Sequence, residues 1–450
     1  MTALALLLTV AGLLYLMCAV LDLRLALALF CTLLPTYLLR FALPLPFGPL
    51  DALPSTLLEV FFWILFLTWL LVGRQPRKKP KITAAKNMTN DHDLRRWMPG
   101  LVLLLLGASV GVLIAPNLIS ALGIWRAYFL EPILFFFLFA DLVRDARTRR
   151  MVLGTLGLTL AAVGTVAIVQ KLTGWWIPNP VWRDEATRRV TGFYGFPNGI
   201  GLMAAPVTVL MAAWTADLAR KVRRGRNLTW PLLAGASALL GLAAILFAVS
   251  EGAALGVAVG LLTYGLLSRP LRKYALIGLI AACALTLAYA PLRNYASLML
   301  SMRDDSWQVR QTVWSESLDM IADRPVFGAG LSGYPDALTT YHLARHIEIF
   351  QYPHSLLLNF WTETGLIGLA GFLALLWSFF VSVGSTFRRR PDEWLPQALL
   401  AAMVALLVHG LVDVPYFRND LAFLFWILIG LAASLRLSTV TTKKKRLKSE

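Results

Sequence analysis

Charged residues are scarce in this 450-residue chain: Asp, Glu, Lys and Arg make up 15% of it, against 58% hydrophobic residues. With a mean hydropathy of +0.66, that is too little polar surface to clothe a soluble domain. Cysteine is nearly missing. The three present, Cys18, Cys31 and Cys283, each fall inside an apolar run, which excludes a disulfide framework or a cysteine metal cluster and leaves them as packing residues. The short alternating segments of a membrane barrel are lacking as well, because the apolar runs are far too long. No internal repeat is visible, and the paired halves with broken helices that mark many transporters are therefore not found.

What the sequence has in abundance is apolar runs long enough to cross about 30 Å of hydrocarbon, which takes roughly 17 to 25 helical residues. The spacing predicts helices near 3–20, 22–41, 56–73, 99–115, 123–141, 151–170, 198–218, 230–249, 251–267, 274–291, 354–384, 395–413 and 420–437. The expected fold is an all-α polytopic membrane helix bundle of about 12–13 transmembrane helices; the count falls to twelve if the first two runs form one broken element. The first run lacks a charged leader, the earliest basic residue being Arg24, so it is expected to stay rather than be cleaved.

The net charge of +17 raises the question of nucleic-acid binding, and the placement of the 42 Lys and Arg answers it. Segments 74–97, 142–150, 219–229, 268–273, 386–394 and 438–450 hold 28 of them, whereas the alternate segments 171–197, 291–353 and 413–420 hold 10. By the positive-inside rule the first set faces the cytoplasm and the second the outside. The basicity thus reads as orientation and anionic-lipid contact, with no nucleic acid. The organisation expected is an N-terminal transmembrane bundle over 1–290 with an outer loop at 171–197. A long, partly helical extracytoplasmic loop follows over 291–353, then transmembrane helices over 354–437 and a basic cytoplasmic tail at 438–450.

Loop 291–353 exceeds the usual length of unstructured connections and is expected to carry structure of its own. In "WQVRQTVWSESLDMIADRP", Val309, Val313, Leu318 and Ile321 mark one apolar helical face. Gly328, Gly330 and Gly333 follow no strand and precede no Lys-Ser/Thr pair, so they read as turns rather than a nucleotide loop. Loop 171–197 gathers Arg183, Arg188 and Arg189 before a helix starting at Pro197 and Asn198. Arginine forks beside a helix start suit phosphate oxygens. Ser250 and Glu251 mark a tight outer turn. Arg126 and Glu131, five apart, are not quite on one helical face and are expected to contact other helices rather than each other. His409, Asp413 and Asp420 cluster loosely at the end of the last hairpin, without the spacing of a metal site.

The stretch "YPHSLLLNFWTETGLIGLAGFLALLWSFF" begins at the outer mouth with His354 and buries Glu363. A lone carboxyl in hydrocarbon is costly, so Glu363 is expected to hold an Arg, a Tyr or broken backbone in place. Gly365, Gly368 and Gly371 offer a smooth surface to another helix. His354, level with the arginines, suits a general base, and the arginines suit a diphosphate leaving group.

"RRVTGFYGFPNGIG" (188–201), "RQTVWSESLDMIADRPVFGAG" (310–330) and "HSLLLNFWTETGLIGL" (354–369) resemble the successive signatures of the O-antigen ligase and polymerase superfamily. The resemblance spans roughly 120–437. It implies a metal-independent, inverting glycosyltransferase without cofactor in the bacterial inner membrane, moving a glycan from undecaprenyl diphosphate to an acceptor hydroxyl outside the cytoplasm. The acceptor is a lipid A-core sugar in ligases, a growing repeat in polymerases and a protein side chain in related enzymes. By position His354 matches the essential His, Arg189 or Arg188 the phosphate-binding Arg, and Arg310 the Arg opening the loop helix. Asn198, Glu251 and Glu363 are supporting residues. Glu251 stands where many ligases have Arg, reversing the charge.

Overall fold

The computed structural model describes residues 3–44, 52–73, 92–222, 227–301, 305–344 and 346–446, and it is a helical bundle. Leu118–Leu142, Ala146–Thr173, Asn198–Val222, Thr229–Phe247 and Leu356–Arg389 are long and apolar enough to cross a membrane. Seven further apolar helices have 10–17 residues, and Arg272–Ala288 joins Ala290–Leu298 through a 95° bend. Each of the apolar runs therefore forms a helix, although several of these helices are shorter than a membrane crossing needs.

Local chemistry sets the helix ends. Asp22 caps Leu23–Thr32 by accepting from the backbone N–H groups of Arg24 and Leu25. Asp145 does the same for Ala146–Thr173, which stops at Gly174 with φ +69°. The second run departs from expectation. Its α-helix ends at Thr32 and Pro35 follows, a residue that cannot continue the ladder, so the chain passes into a short 3-10 turn. Arg40–Pro44 and Ala52–Thr56 then pair as an antiparallel hairpin. Thr56 and Glu59 form a reciprocal capping box that starts Leu57–Leu71.

Arg126 and Glu131 do meet, contrary to the helical-wheel expectation. Trp125–Leu130 is a π-turn, in which residues five apart come into register. Arg126 Nε lies 3.3 Å from Glu131 Oε1, while Nη2 lies 2.8 Å from Glu59 Oε1 and donates to the Pro54 carbonyl. One guanidinium thus ties the hairpin to two helices. Cys31 is buried as expected, whereas Cys283 is exposed because Arg272–Ala288 buries none of its side chains.

The long helix Leu356–Arg389 packs along Met98–Leu113 through glycines. Gly368 lies against Gly107, and Gly371 against the Leu104 backbone, with no room for a β-carbon at either contact. Gly365 does something else. Its φ of +64° breaks the helix, and the Leu366 N–H there bonds the Val326 carbonyl at 2.9 Å. Gly328 and Gly330, at φ +70° and +82°, let segment 326–334 pack against this break and the end of Met98–Leu113.

The long loop carries Asp305–Asp323 and Tyr334–Leu338. Val313, Met320 and Ile321 are its buried face. Leu318, five residues past Val313, is off that face and 50% exposed.

The glycine contacts predict a sharp positional contrast. Gly371→Val should destabilise the protein by about 1–3 kcal/mol through overpacking, visible as a lower thermal midpoint in detergent. Gly384→Val, with nothing near its β-position, should leave the midpoint unchanged.

Candidate functional site

His354 precedes Leu356–Arg389 rather than opening it, and its φ of +48° is a left-handed conformation that costs a non-glycine residue roughly 1–3 kcal/mol. Neighbours on both sides hold it there. The Trp314 indole donates to the Pro353 carbonyl at 2.8 Å, and the Leu356 N–H bonds the Gly410 carbonyl at 2.8 Å. The imidazole sits edge-on to Phe350 and Tyr352, with centroids 4.9 and 4.8 Å away. Its Nδ1 faces Asp413 Oδ1 at 3.8 Å and has no hydrogen-bond partner among the described residues.

Asp413 is buried on the Gly410–Arg418 connection. Burial pushes its carboxyl up, but the facing His354, the nearby His409 and the Val414 N–H outweigh burial and hold it below the usual carboxylate range. It is therefore an anion behind the imidazole. Burial, with Asp413 nearby, pushes the Tyr352 phenol up, so that ring stays neutral. Arg310 Nε donates to the Val412 carbonyl at 3.1 Å, next to Asp413. Helix Asp305–Asp323 therefore pins both sides of the His354–Asp413 pair, through Trp314 on one and Arg310 on the other.

Arg189 belongs to the same end of the bundle. Its Nε donates to the Ala248 carbonyl at 3.0 Å, and its Nη2 to Val249 at 3.2 Å and to Asn198 Oδ1 at 3.4 Å. The receiving turn is strained, with Val249 at φ +52°, which presents its carbonyls to the guanidinium. Burial pulls Arg189 down while Glu251 opposes it, leaving a fixed cation. Glu251, exposed at the start of Glu251–Leu267, accepts from the Tyr295 hydroxyl at 2.7 Å.

Arg188 and Arg183 go elsewhere. Arg188 donates to the Lys171 carbonyl at 2.8 Å and to Arg183 O at 3.2 Å, and Arg183 donates to the Ile177 carbonyl at 2.8 Å. Both brace their own loop. Of the adjacent pair, only Arg189 reaches the turn at Ser250.

His409 joins the two halves. It packs against Gly201, just after Asn198, and against Gly252, just after Glu251, and it lies on the Asp413 side of the final connection. Beyond it, Arg418 is buried with Asp420, at 2.7 and 2.9 Å, and lies over the rings of Tyr194 and Tyr37. Sequence reasoning passed over Arg418 and gave Asp413 no partner; an Asp next to a Gly-Leu-Val connection facing a His across the fold has no local signal.

Glu363 is not part of this cluster. Its Oε2 accepts from the Ser332 N–H at 2.6 Å, where Ser332 holds φ +63°. It satisfies the irregular backbone of segment 326–334, as a buried carboxyl must satisfy something. Among the described residues no three His, Cys, Asp or Glu converge as a metal-ligand set. The chemistry on offer is an imidazole backed by a carboxylate, with two arginines fixed on neighbouring backbone.

No curated protein matches the chain. Residues 236–373 match the family model described as O-Antigen ligase. That stretch includes Glu251, Arg310, His354 and Glu363, and leaves Arg188, Arg189, Asn198 and Asp413 outside it. Over this stretch the chain is similar to O-antigen ligases, and the bundle of apolar helices around it supports a multi-pass membrane protein of the O-antigen ligase and polymerase type.

Proposed function

We propose that the protein moves a glycan from an undecaprenyl-diphosphate carrier to an acceptor hydroxyl at the extracytoplasmic face of the bacterial inner membrane. The observation that carries this reading is His354, strained and backed by Asp413, at the end of the bundle that also fixes Arg189 and Arg310. The acceptor hydroxyl gives its proton to His354 Nε2 as its oxygen attacks the anomeric carbon. Asp413 orients the ring through the Nδ1 side and balances the imidazolium that forms. The bond from carbon to the diphosphate oxygen breaks, and the leaving diphosphate gathers charge near Arg189 and Arg310. One displacement inverts the anomeric centre, and the arginines supply the charge stabilisation without a metal.

Glu251 departs from the Arg found there in many ligases. Its bond to Tyr295 and its proximity to Arg189 make it an orienting group rather than a phosphate ligand. A surface polysaccharide polymerase or a protein O-glycosyltransferase of the same superfamily would use the same groups and differ in acceptor. A lipid or polysaccharide transporter is the less favoured reading, because the His354–Asp413 pair lies at the end of the bundle rather than at a midplane site between paired halves.

The test is purified protein reconstituted with an undecaprenyl-diphosphate glycan and, separately, lipid A-core, a second glycan donor or an acceptor protein; product in one vessel names the subclass. His354→Ala should abolish transfer while donor is retained, and Asp413→Asn should lower kcat by roughly 10²–10⁴. Wild-type rates in His354→Ala would overturn the assignment of the base. Arg189→Ala should weaken donor binding, with poor rescue by Arg189→Lys because the planar fork is lost. Arg188→Ala should leave donor affinity unchanged and lower thermal stability instead. Transfer should persist in excess EDTA; loss restored by a divalent ion would contradict the metal-free step.

A further inference from the structure

At the opposite end of the bundle from His354, the helices close around a cavity of about 350 Å³, within the range of small-molecule sites. Its mouth carries Arg149, Arg150, Lys221 and Arg390 against the two carboxylates Asp217 and Glu393. The carboxylates are already taken. Asp217 pairs with Lys221 and, at 3.8 Å, with Arg220, and Glu393 pairs with Arg390 at 2.7 Å. Arg149 and Arg150 have no carboxylate within ion-pairing distance among the described residues; Arg149 makes one long contact, 3.5 Å, to the Ser434 carbonyl. Two positive charges are left facing the cavity.

The wall behind them is apolar. Trp214 and Trp394 stack nearly parallel at 6.4 Å, and Leu153 and Leu395 line the interior with them. Arg149 lies in the first turn of Ala146–Thr173, Lys221 in the last turn of Asn198–Val222, and Arg390 just beyond Leu356–Arg389. The cavity therefore lies at the water-facing ends of spanning helices, where tryptophans and basic residues meet lipid headgroups.

We propose that this cavity binds the phosphate headgroup of an anionic glycerophospholipid. The phosphate sits between Arg149 and Arg150, and the tryptophan and leucine wall receives the glycerol and upper chain. An unpaired positive mouth alone suits any phosphate. The apolar wall at the membrane interface selects one attached to a lipid. This is the end rich in Lys and Arg, so the ligand comes from the leaflet opposite the transfer site, and the cavity takes no part in the reaction proposed there.

The test is native mass spectrometry of the full chain, delipidated in a neutral detergent and titrated with phosphatidylglycerol or phosphatidylcholine. Phosphatidylglycerol should bind about tenfold more tightly or better, as expected for two charges near a membrane surface. The double variant Arg149→Gln and Arg150→Gln, which leaves the Arg390–Glu393 and Lys221–Asp217 pairs intact, should lose that preference. The double variant Arg269→Gln and Lys273→Gln, basic residues of the same end outside the cavity, should keep it. Equal affinities for the two lipids, retention of the preference in the cavity variant, or equal loss in both variants would overturn the proposal. So would complete displacement of phosphatidylglycerol by millimolar inorganic phosphate, which would identify a soluble anion as the ligand.

Discussion

The helix break at Gly365 is the constraint on which the arrangement depends. A helix cannot carry φ +64° in its middle without freeing backbone groups, and in an apolar bundle those groups need partners. Segment 326–334 supplies them: the Leu366 N–H bonds Val326 and the Ala329 N–H bonds the Thr362 carbonyl at 2.7 Å, while the Leu331 N–H ties the same segment to Gly111 of Met98–Leu113 at 3.0 Å. Glu363 meets the Ser332 N–H in return. The long loop is thereby stitched into the long apolar helices. With its far end anchored, helix Asp305–Asp323 lies where Trp314 and Arg310 reach the backbone on either side of the His354–Asp413 pair.

That anchoring explains how a strained histidine persists. The His354 conformation is held by bonds to the residue before it and to the helix start after it, and by two aromatic rings. Asp413 is ionised in a buried place because two imidazoles and a backbone N–H face it. The arginines are fixed by carbonyls rather than by carboxylates, so their charge is not cancelled by the contacts that hold them. Arg418 is the contrast: Asp420 neutralises it, and it serves packing against tyrosines.

Much of this was legible in the sequence, for particular reasons. Apolar runs announce helices because length and hydropathy are local, and the thirteen runs correspond to helices in the structure. The helix in the long loop was visible through Val313 and Ile321, although Leu318 misled because five residues carry a side chain off the face. The 3-10 turn after Thr32 was hidden inside a run whose composition still suited a helix, and the hairpin fell largely in the gap between that run and the next. The Arg126–Glu131 pair was misjudged because a π-turn changes which spacing meets, and nothing in "WRAYFLE" announces the extra residue per turn. Arg188 and Arg189 could not be separated, since adjacent residues in a loop have no periodicity to say which one turns inward. Asp413 needed the fold itself, because it meets His354 only when two connections far apart in the chain are brought side by side.

The central claim is that loop 171–197, the loop before His354 and the final connection share one face of the membrane, opposite the basic ends. Single cysteines at Asp184, Asp336 and Asp392, in a background lacking Cys18, Cys31 and Cys283, test it with an impermeant thiol reagent. The account predicts labelling at 184 and 336 in intact cells, and at 392 only after lysis. Labelling of 184 and 336 from opposite sides would separate Arg189 from His354 and contradict a shared transfer site.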